Sequence, residues 1–367
     1  MWWLAACAIE PQDAEATGVE WADDEASAFV FRDDRVVRVD LTIDPDRRPA
    51  PGQVVHAALE LDGARYPDVG VALAGAPDDP SLVVLLDRWT PASHRGLTAF
   101  ELHQHPSDPT LAREATSARA ARLLGLPAPR VGFAEVRWNE VPAGVFLVVE
   151  RQDAEFVERR LGWRAPVVFR PERGFGDFGR GLLPGDVRRS REDGPVVDDP
   201  AVGESLDEVE ALLSAPPTPD AVAALFELVP QEAFLTYLAW EVVVGHADGY
   251  PSRWRLAVGG AGRPALAWLP SDGETSWVSE LPAFGGEGAA RAWCEAEPGC
   301  RRAYAEVALA VADRAEAAAL PDVYRAVDGF VRSLDLTLAP AEGDVHLADR
   351  PQRLREEVLA EYPDLGP

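Results

Sequence analysis

Leu235-Thr-Tyr-Leu-Ala-Trp-Glu-Val-Val-Val-Gly-His246-Ala-Asp248-Gly-Tyr250, then Trp254 to Val258, Ala265 to Leu269 and Pro270-Ser-Asp272-Gly-Glu274-Thr-Ser-Trp277, is the most informative part of the chain. Leu238, Val242 and Val243 recur at helical spacing and predict an amphipathic helix ending at Gly245. Two short apolar runs flank Gly259-Gly-Ala-Gly262, which predicts a β-hairpin. A hairpin returns the chain to the edge it left. Asp248 on one loop and Asp272 and Glu274 on the other are therefore expected to converge on one cleft. Phosphoryl transfer needs little beyond positioning and charge neutralisation, so a hydroxyl-orienting Asp opposite metal-binding carboxylates would suffice as a core. The competing reading makes Asp248 a turn cap and Asp272 and Glu274 solvated loop residues.

Upstream, strands dominate. Phe29, Phe31, Val36, Val39, Leu41 and Ile43 alternate around Asp33-Asp34 and predict a two-stranded hairpin. Val54 to Leu61 continues in that style to an Asp62-Gly63 turn, and Val69 to Leu73 and Leu82 to Leu86 are further short apolar runs. The first hundred residues thus read as an antiparallel sheet. Asp108 followed by Pro109 predicts a helix start, with Leu111, Ala115, Ala118 and Ala121 as its stripe, Glu114 beside it, and Gly125 and Pro127 at its end. Strands Arg130 to Trp138 and Gly144 to Glu150 follow, turning at Asn139. Residues 163 to 203 show no periodicity and read as a loop or insert. The remainder is mainly helical: Ser205 to Leu213, with Ser205 and Glu208 as a capping box, Pro219 to Leu228, Pro230 to Gly245, Arg301 to Ala319, Val323 to Leu334 and Gln352 to Glu361.

The chain has 367 residues, enough for two cores, with 47% hydrophobic residues, and formal charge −27 from 35 basic and 62 acidic side chains. Such a balance gives no bulk attraction to nucleic acid or an anionic membrane. Every basic residue is arginine, so no mechanism here uses lysine, and asparagine occurs once, at Asn139. Met1-Trp-Trp-Leu-Ala-Ala-Cys7 resembles a bacterial lipobox, whose cysteine carries a lipid anchor, and an acidic tether follows to about Glu25. The competing reading is a chance cysteine, since six residues are few for a signal segment. Cys294 and Cys300 would stand roughly 9 Å apart in an unbroken helix. Pro298-Gly299 breaks it, and a short disulfide, suited to an exported protein, is expected.

Glu114 on its helix, Gly144-Val-Phe-Leu-Val-Val-Glu150, Ala239 to Tyr250 and Pro270 to Thr275 stand in an order that resembles the CotH (spore coat protein H) kinase family. Asp62-Gly-Ala-Arg-Tyr-Pro-Asp-Val-Gly70-Val resembles its early strand, and Asp108-Pro-Thr-Leu-Ala-Arg-Glu114 the opening of its lobe-linking helix. The resemblance implies an atypical secretory protein kinase using ATP and Mg²⁺ or Mn²⁺. Asp248 would be catalytic, Glu274 with Asp272 as neighbour or substitute would hold the metal, and Glu114 would be the carboxylate that pairs a nucleotide-binding lysine. That lysine precedes the strand corresponding to Leu82-Val-Val-Leu-Leu86; here Asp78, Asp79 and Pro80 stand nearby. The family's asparagine after Asp-Gly-Tyr is replaced by Pro251-Ser-Arg-Trp254. Arg170 or Arg173 would supply the missing charge. Gly174-Phe-Gly-Asp-Phe-Gly179 matches phosphate-loop and Asp-Phe-Gly patterns, but precedes Asp248 and reads as a flexible loop. His103-Gln-His105 reads as a solvated pair, there being no third ligand nearby.

The expected fold is therefore α+β, a two-lobed atypical protein-kinase-like fold. Residues 1–27 form the signal remnant and tether. Residues 28–151 form an antiparallel-sheet lobe with one linking helix, and 152–340 a mainly helical lobe with a β-hairpin and the 163–203 insert. Residues 341–367 form a tail with a short helix. The expected function is phosphotransfer to Ser/Thr of exported or surface proteins, or, as the alternative, a pseudokinase serving as a surface binding or structural module. Membrane contact is expected only through Cys7.

Overall fold

A computed structural model describes residues 25–32, 34–47, 49–50, 52–74, 81–104, 108–169, 200–246, 249–250, 254–260, 262–277, 280–334 and 343–366. Cys7, Asp78, Asp79, Pro80, His105, Arg170, Arg173, the glycine-rich 174–179 stretch and Asp248 lie outside the described residues.

Seven strands close into a barrel: β1 (Val36–Ile43), β2 (Val55–Leu61), β3 (Ala64–Leu73), β4 (Leu82–Leu85), β5 (Ala99–His103), β6 (Val131–Trp138) and β7 (Val141–Glu150), in the order β1-β2-β3-β4-β5-β7-β6. The expected antiparallel sheet is present, but β1 also pairs β6 in parallel, and that contact closes the sheet. Closure removes the free edges an open sheet would expose. Alternation in β1 turns Val37, Val39, Leu41 and Ile43 into the barrel core. Asn139 secures the seam, its side chain accepting from Ile43 N at 2.8 Å and donating to Ile43 O at 2.9 Å.

Phe29–Phe31 is a short 3-10 turn rather than the expected strand. Val30 and Phe31 are buried in the barrel core, and a Cβ at Gly132 would lie 2.7 Å from Val30 O. Apolar spacing was satisfied by plugging, not by pairing. β5 escapes the sequence reading because all five of its residues are buried, so no alternation marks it.

The helix at Glu114 is α1 (Ala112–Leu123). It starts later than expected because Leu111 adopts φ 56°, a left-handed conformation no helix passes through. Asp108 still serves the start, accepting from Arg113 N at 3.0 Å. Beyond the barrel come α2 (Ala154–Leu161), β8 (Val167–Phe169), α3 (Pro200–Ser214), α4 (Pro219–Leu228), α5 (Gln231–Val244), β9 (Arg255–Gly259) and β10 (Ala265–Leu269). The predicted hairpin is β9–β10, and β8 adds a third strand to it. α3 begins five residues before Ser205, whose hydroxyl donates to Pro264 O at 3.1 Å, so the expected capping box is not formed.

α5 is buried on all sides from Phe234 to Val244 and is not amphipathic; it is the central helix of the larger core. Around it pack α6 (Ala289–Ala296), α7 (Pro298–Ala317), α8 (Leu320–Ser333) and α9 (Gly343–Glu361). α9 is longer than the Gln352 to Glu361 segment expected, tolerating Pro351 inside it and burying Leu347, Leu354 and Val358. Cys294 and Cys300 are disulfide-bonded as expected, with Cα atoms 5.2 Å apart across the α6–α7 corner. Among the described residues no single helix is long and apolar enough to cross a membrane. The molecule is a mixed α+β structure in which α1 is buried within the helical core and against β6.

Candidate functional site

Glu101 and His103 alternate onto one face of β5, and α1 lays Glu114 opposite them. His103 Nδ1 meets Glu114 Oε1 at 2.8 Å, and its Nε2 meets Glu101 Oε2 at 2.8 Å. Arg255, the first residue of β9, donates through Nη2 to both oxygens of Glu101 at 3.1 Å. The result is a buried chain of alternating charge, Arg255–Glu101–His103–Glu114, that runs from the hairpin along the outer face of β5 to α1; each member is at most 3% exposed.

An ionised carboxylate only accepts hydrogen bonds, so a ring flanked by two of them carries a proton on each nitrogen. Burial alone would lower the His103 pKa; Glu114 and Glu101 outweigh it and raise the group to about 9. His103 is thus an imidazolium. Sequence reasoning dismissed this residue as part of a solvated pair. The signal that marks it is the Glu-x-His spacing on a strand, with His103 five residues before Asp108, which serves the start of α1.

The acidic loop lands on the same helix. Asp272 has φ 49°, and Gly273–Thr275 form a 3-10 turn whose Glu274 is 1% exposed. A Cβ at Gly273 would stand 2.6 Å from Ser117 Cβ, three residues along α1 from Glu114. Ser276 Oγ lies 3.1 Å from Ser117 Oγ, and Trp277 N donates to Val244 O at 2.7 Å. Asp272 O accepts from His246 Nε2 at 3.1 Å, which fixes the proton on that nitrogen. Gln152, just beyond β7, donates to Pro270 O at 2.9 Å and accepts from Arg255 Nη1 at 3.1 Å. The structure therefore gathers Glu114, Asp272 and Glu274 around one end of α1. They are packed groups, not the solvated loop residues of the competing reading. Asp248, Arg170 and Arg173 lie outside the described residues.

Glu241 sits beneath the turn that follows His246. Its Oε1 accepts from Tyr250 N at 2.5 Å, and it is 2% exposed. Glu101, His103, Arg255 and Glu241 are the site residues that sequence reasoning missed.

ATP with a divalent metal asks for a cation free to face phosphates and for grouped oxygen ligands. The cation beside Glu114 has both nitrogens engaged by carboxylates. Among the described residues no cluster of three or more His, Cys, Asp or Glu side chains could hold a metal ion.

Residues 86–292, more than half of the chain, match the family described as CotH kinase protein. No curated protein matches. Among solved structures, the chain is similar to the Helicobacter pylori proinflammatory kinase CtkA, at 9% identity and TM-score 0.35, covering 80% of this chain and 97% of that one. It is also similar to a chain of the Shewanella oneidensis MR-1 toxin–antitoxin complex of HipA, HipB and operator DNA, at 14% identity and TM-score 0.32, covering 71% of this chain and 57% of that one.

Proposed function

The chain belongs to the CotH kinase protein family, and from that premise we propose that it is an extracytoplasmic pseudokinase, a kinase-fold module that binds or supports other surface proteins. The barrel region 28–151 and the helical region 152–340 serve as its two lobes. The disulfide Cys294–Cys300 suits an exported protein, and Cys7 is the proposed lipid-anchor site.

One observation carries the reading: His103 contacts Glu114 and is held at 2.8 Å by a carboxylate on each side. A lysine in such a pair reaches phosphates with the rest of its charge. An imidazolium sandwiched between two glutamates has its charge compensated inside the protein. Arg255, from the helical region, adds a second cation against Glu101 at 3.1 Å.

Titration calorimetry of the full chain with ATP, with and without Mg²⁺ or Mn²⁺, tests this. No saturable heat is expected up to about 1 mM, the upper end of ordinary enzyme affinities. Metal-dependent binding in the micromolar range would overturn it.

A second reading, active phosphotransfer to Ser/Thr of exported proteins, is favoured by Asp272 and Glu274 being held against the helix of Glu114. In that reading Asp248 is the catalytic group, and Asp248→Ala abolishes transfer.

A further inference from the structure

Between α4 and the start of α7 lies a groove of about 570 Å³, within the size range of ligand-binding clefts. α4 gives it an apolar wall of Val222, Ala223 and Phe226, while Leu225 and Leu228 of the same helix turn into the core. The other wall is Glu297, Gly299 and Cys300, and Glu227 and Gln231 come from the α4–α5 corner.

The α7 wall is stapled in place. The Cys294–Cys300 disulfide spans the α6–α7 corner, and Glu297 inside that loop caps α7, its Oε2 accepting from Cys300 N at 2.7 Å. The second oxygen of Glu297, Oε1, takes no hydrogen bond from the described residues, although the residue is only 8% exposed. Glu227 meets Arg263 Nη1 at 3.7 Å, beyond hydrogen-bond range, while the same guanidinium bonds Glu208. Among the described residues no basic side chain lines the groove.

Two carboxylates with unused oxygens beside an apolar wall suit one kind of guest, a cationic side chain on an aliphatic stem. The stem covers Val222 and Phe226, and the charged head donates to Glu297 or Glu227. A second copy of the chain brings a net charge of −27 against this acidic rim, and the tether of residues 1–27 contains no basic residue. A rigid groove also binds at a lower ordering cost than one that must form on contact.

We propose that the α4–α7 groove is the docking site for a basic, lysine- or arginine-bearing segment of a partner protein. This rests on the reading of the chain as a binding module and names the chemistry of its partner.

The test is fluorescence anisotropy of a labelled, amidated peptide of alternating Lys and Ala, titrated with the full chain at about 0.15 M salt. Wild type is expected to bind it saturably below about 1 mM and to ignore the matching Glu and Ala peptide. Ala223→Arg places a cation on an exposed groove position and is expected to weaken binding at least about tenfold. Glu227→Gln is expected to weaken it about two- to fivefold, and Glu60→Gln, the same charge change on β2 of the barrel, to leave it unchanged. Equal losses in Glu227→Gln and Glu60→Gln would mean attraction to the bulk charge and overturn the proposal, as would undiminished binding by Ala223→Arg. Absence of binding overturns it too, including the case in which the chain's own Arg188-Arg189-Ser-Arg191 fills the groove. Self-association of wild type that Ala223→Arg abolishes would assign the groove to a second copy instead. Should Ala223→Arg fail to fold, the comparison of Glu227→Gln with Glu60→Gln decides. Nucleotide calorimetry of the same chain tests the pseudokinase reading separately, so the two fail independently.

Discussion

His103 and Glu114 meet at 2.8 Å between a barrel strand and the helix it faces, both within the protein interior. In a kinase-like site this contact belongs to a lysine, and here it is closed off by Glu101 on the imidazole's other nitrogen. The site is assembled from its own charges.

Removing the central cation should therefore be costly. His103→Ala removes the ionic contacts of both Glu114 and Glu101 to the imidazole in the interior, a loss of about 3–5 kcal/mol by the usual penalty for breaking a buried pair. Urea unfolding followed by circular dichroism measures it. A loss under about 1 kcal/mol would place His103 outside any energetically coupled chain.

Stability should fall as pH rises through the alkaline range. His103 has a folded pKa of about 9 against an ordinary 6.5, so its contribution is complete below about 6.5 and lost as pH climbs through about 9. The size is on the order of 3 kcal/mol. Glu150 acts at the opposite end. Burial would raise its pKa, but Arg130, Arg160 and Arg159 hold it down to about 2, so its contribution is present above about 4.5 and lost as pH falls through about 2. Denaturant midpoints across pH should show both flanks, and His103→Gln should remove the alkaline one attributed to it.

Gly273→Ala should loosen the acidic turn from α1. The added methyl group falls 2.6 Å from Ser117 Cβ, and relief requires a shift of the turn, costing about 1–3 kcal/mol. Thermal unfolding of the variant beside a control substitution at exposed Gly63, where nothing lies within 4 Å, checks this. A Cβ at Gly63 still meets a strained φ of +83°, so Gly63→Asn is the fitting control.

The short Cys294–Cys300 loop should contribute about 2 kcal/mol by chain-entropy arithmetic for so small a ring. Thiol titration of the unfolded, unreduced chain should find one thiol at most, that of Cys7. Three thiols would remove the disulfide and the export argument with it.

The hairpin and the Cys294–Cys300 link were legible because each carries a local signal: a glycine-rich turn and a Pro-Gly break. β5 was missed, and α5 was placed as a helix but misread as amphipathic. Both are buried throughout, so the alternation and amphipathicity that betray half-buried elements are missing. Closure of the barrel by β1 and β6 depends on residues about a hundred positions apart, beyond any local pattern. The same distance hid the ion chain. Glu114 was recognisable from its helix, but His103 comes to it from β5, and Glu101 beside His103 is met by Arg255, 154 residues on.

The most direct test is ¹⁵N NMR of the histidine rings at about pH 8, with His103 assigned by the His103→Gln spectrum. The account predicts a doubly protonated His103 ring at that pH, titrating at about 9 and unmoved by ATP with Mg²⁺. A neutral ring titrating at the ordinary value, or a shift on nucleotide addition, would contradict it.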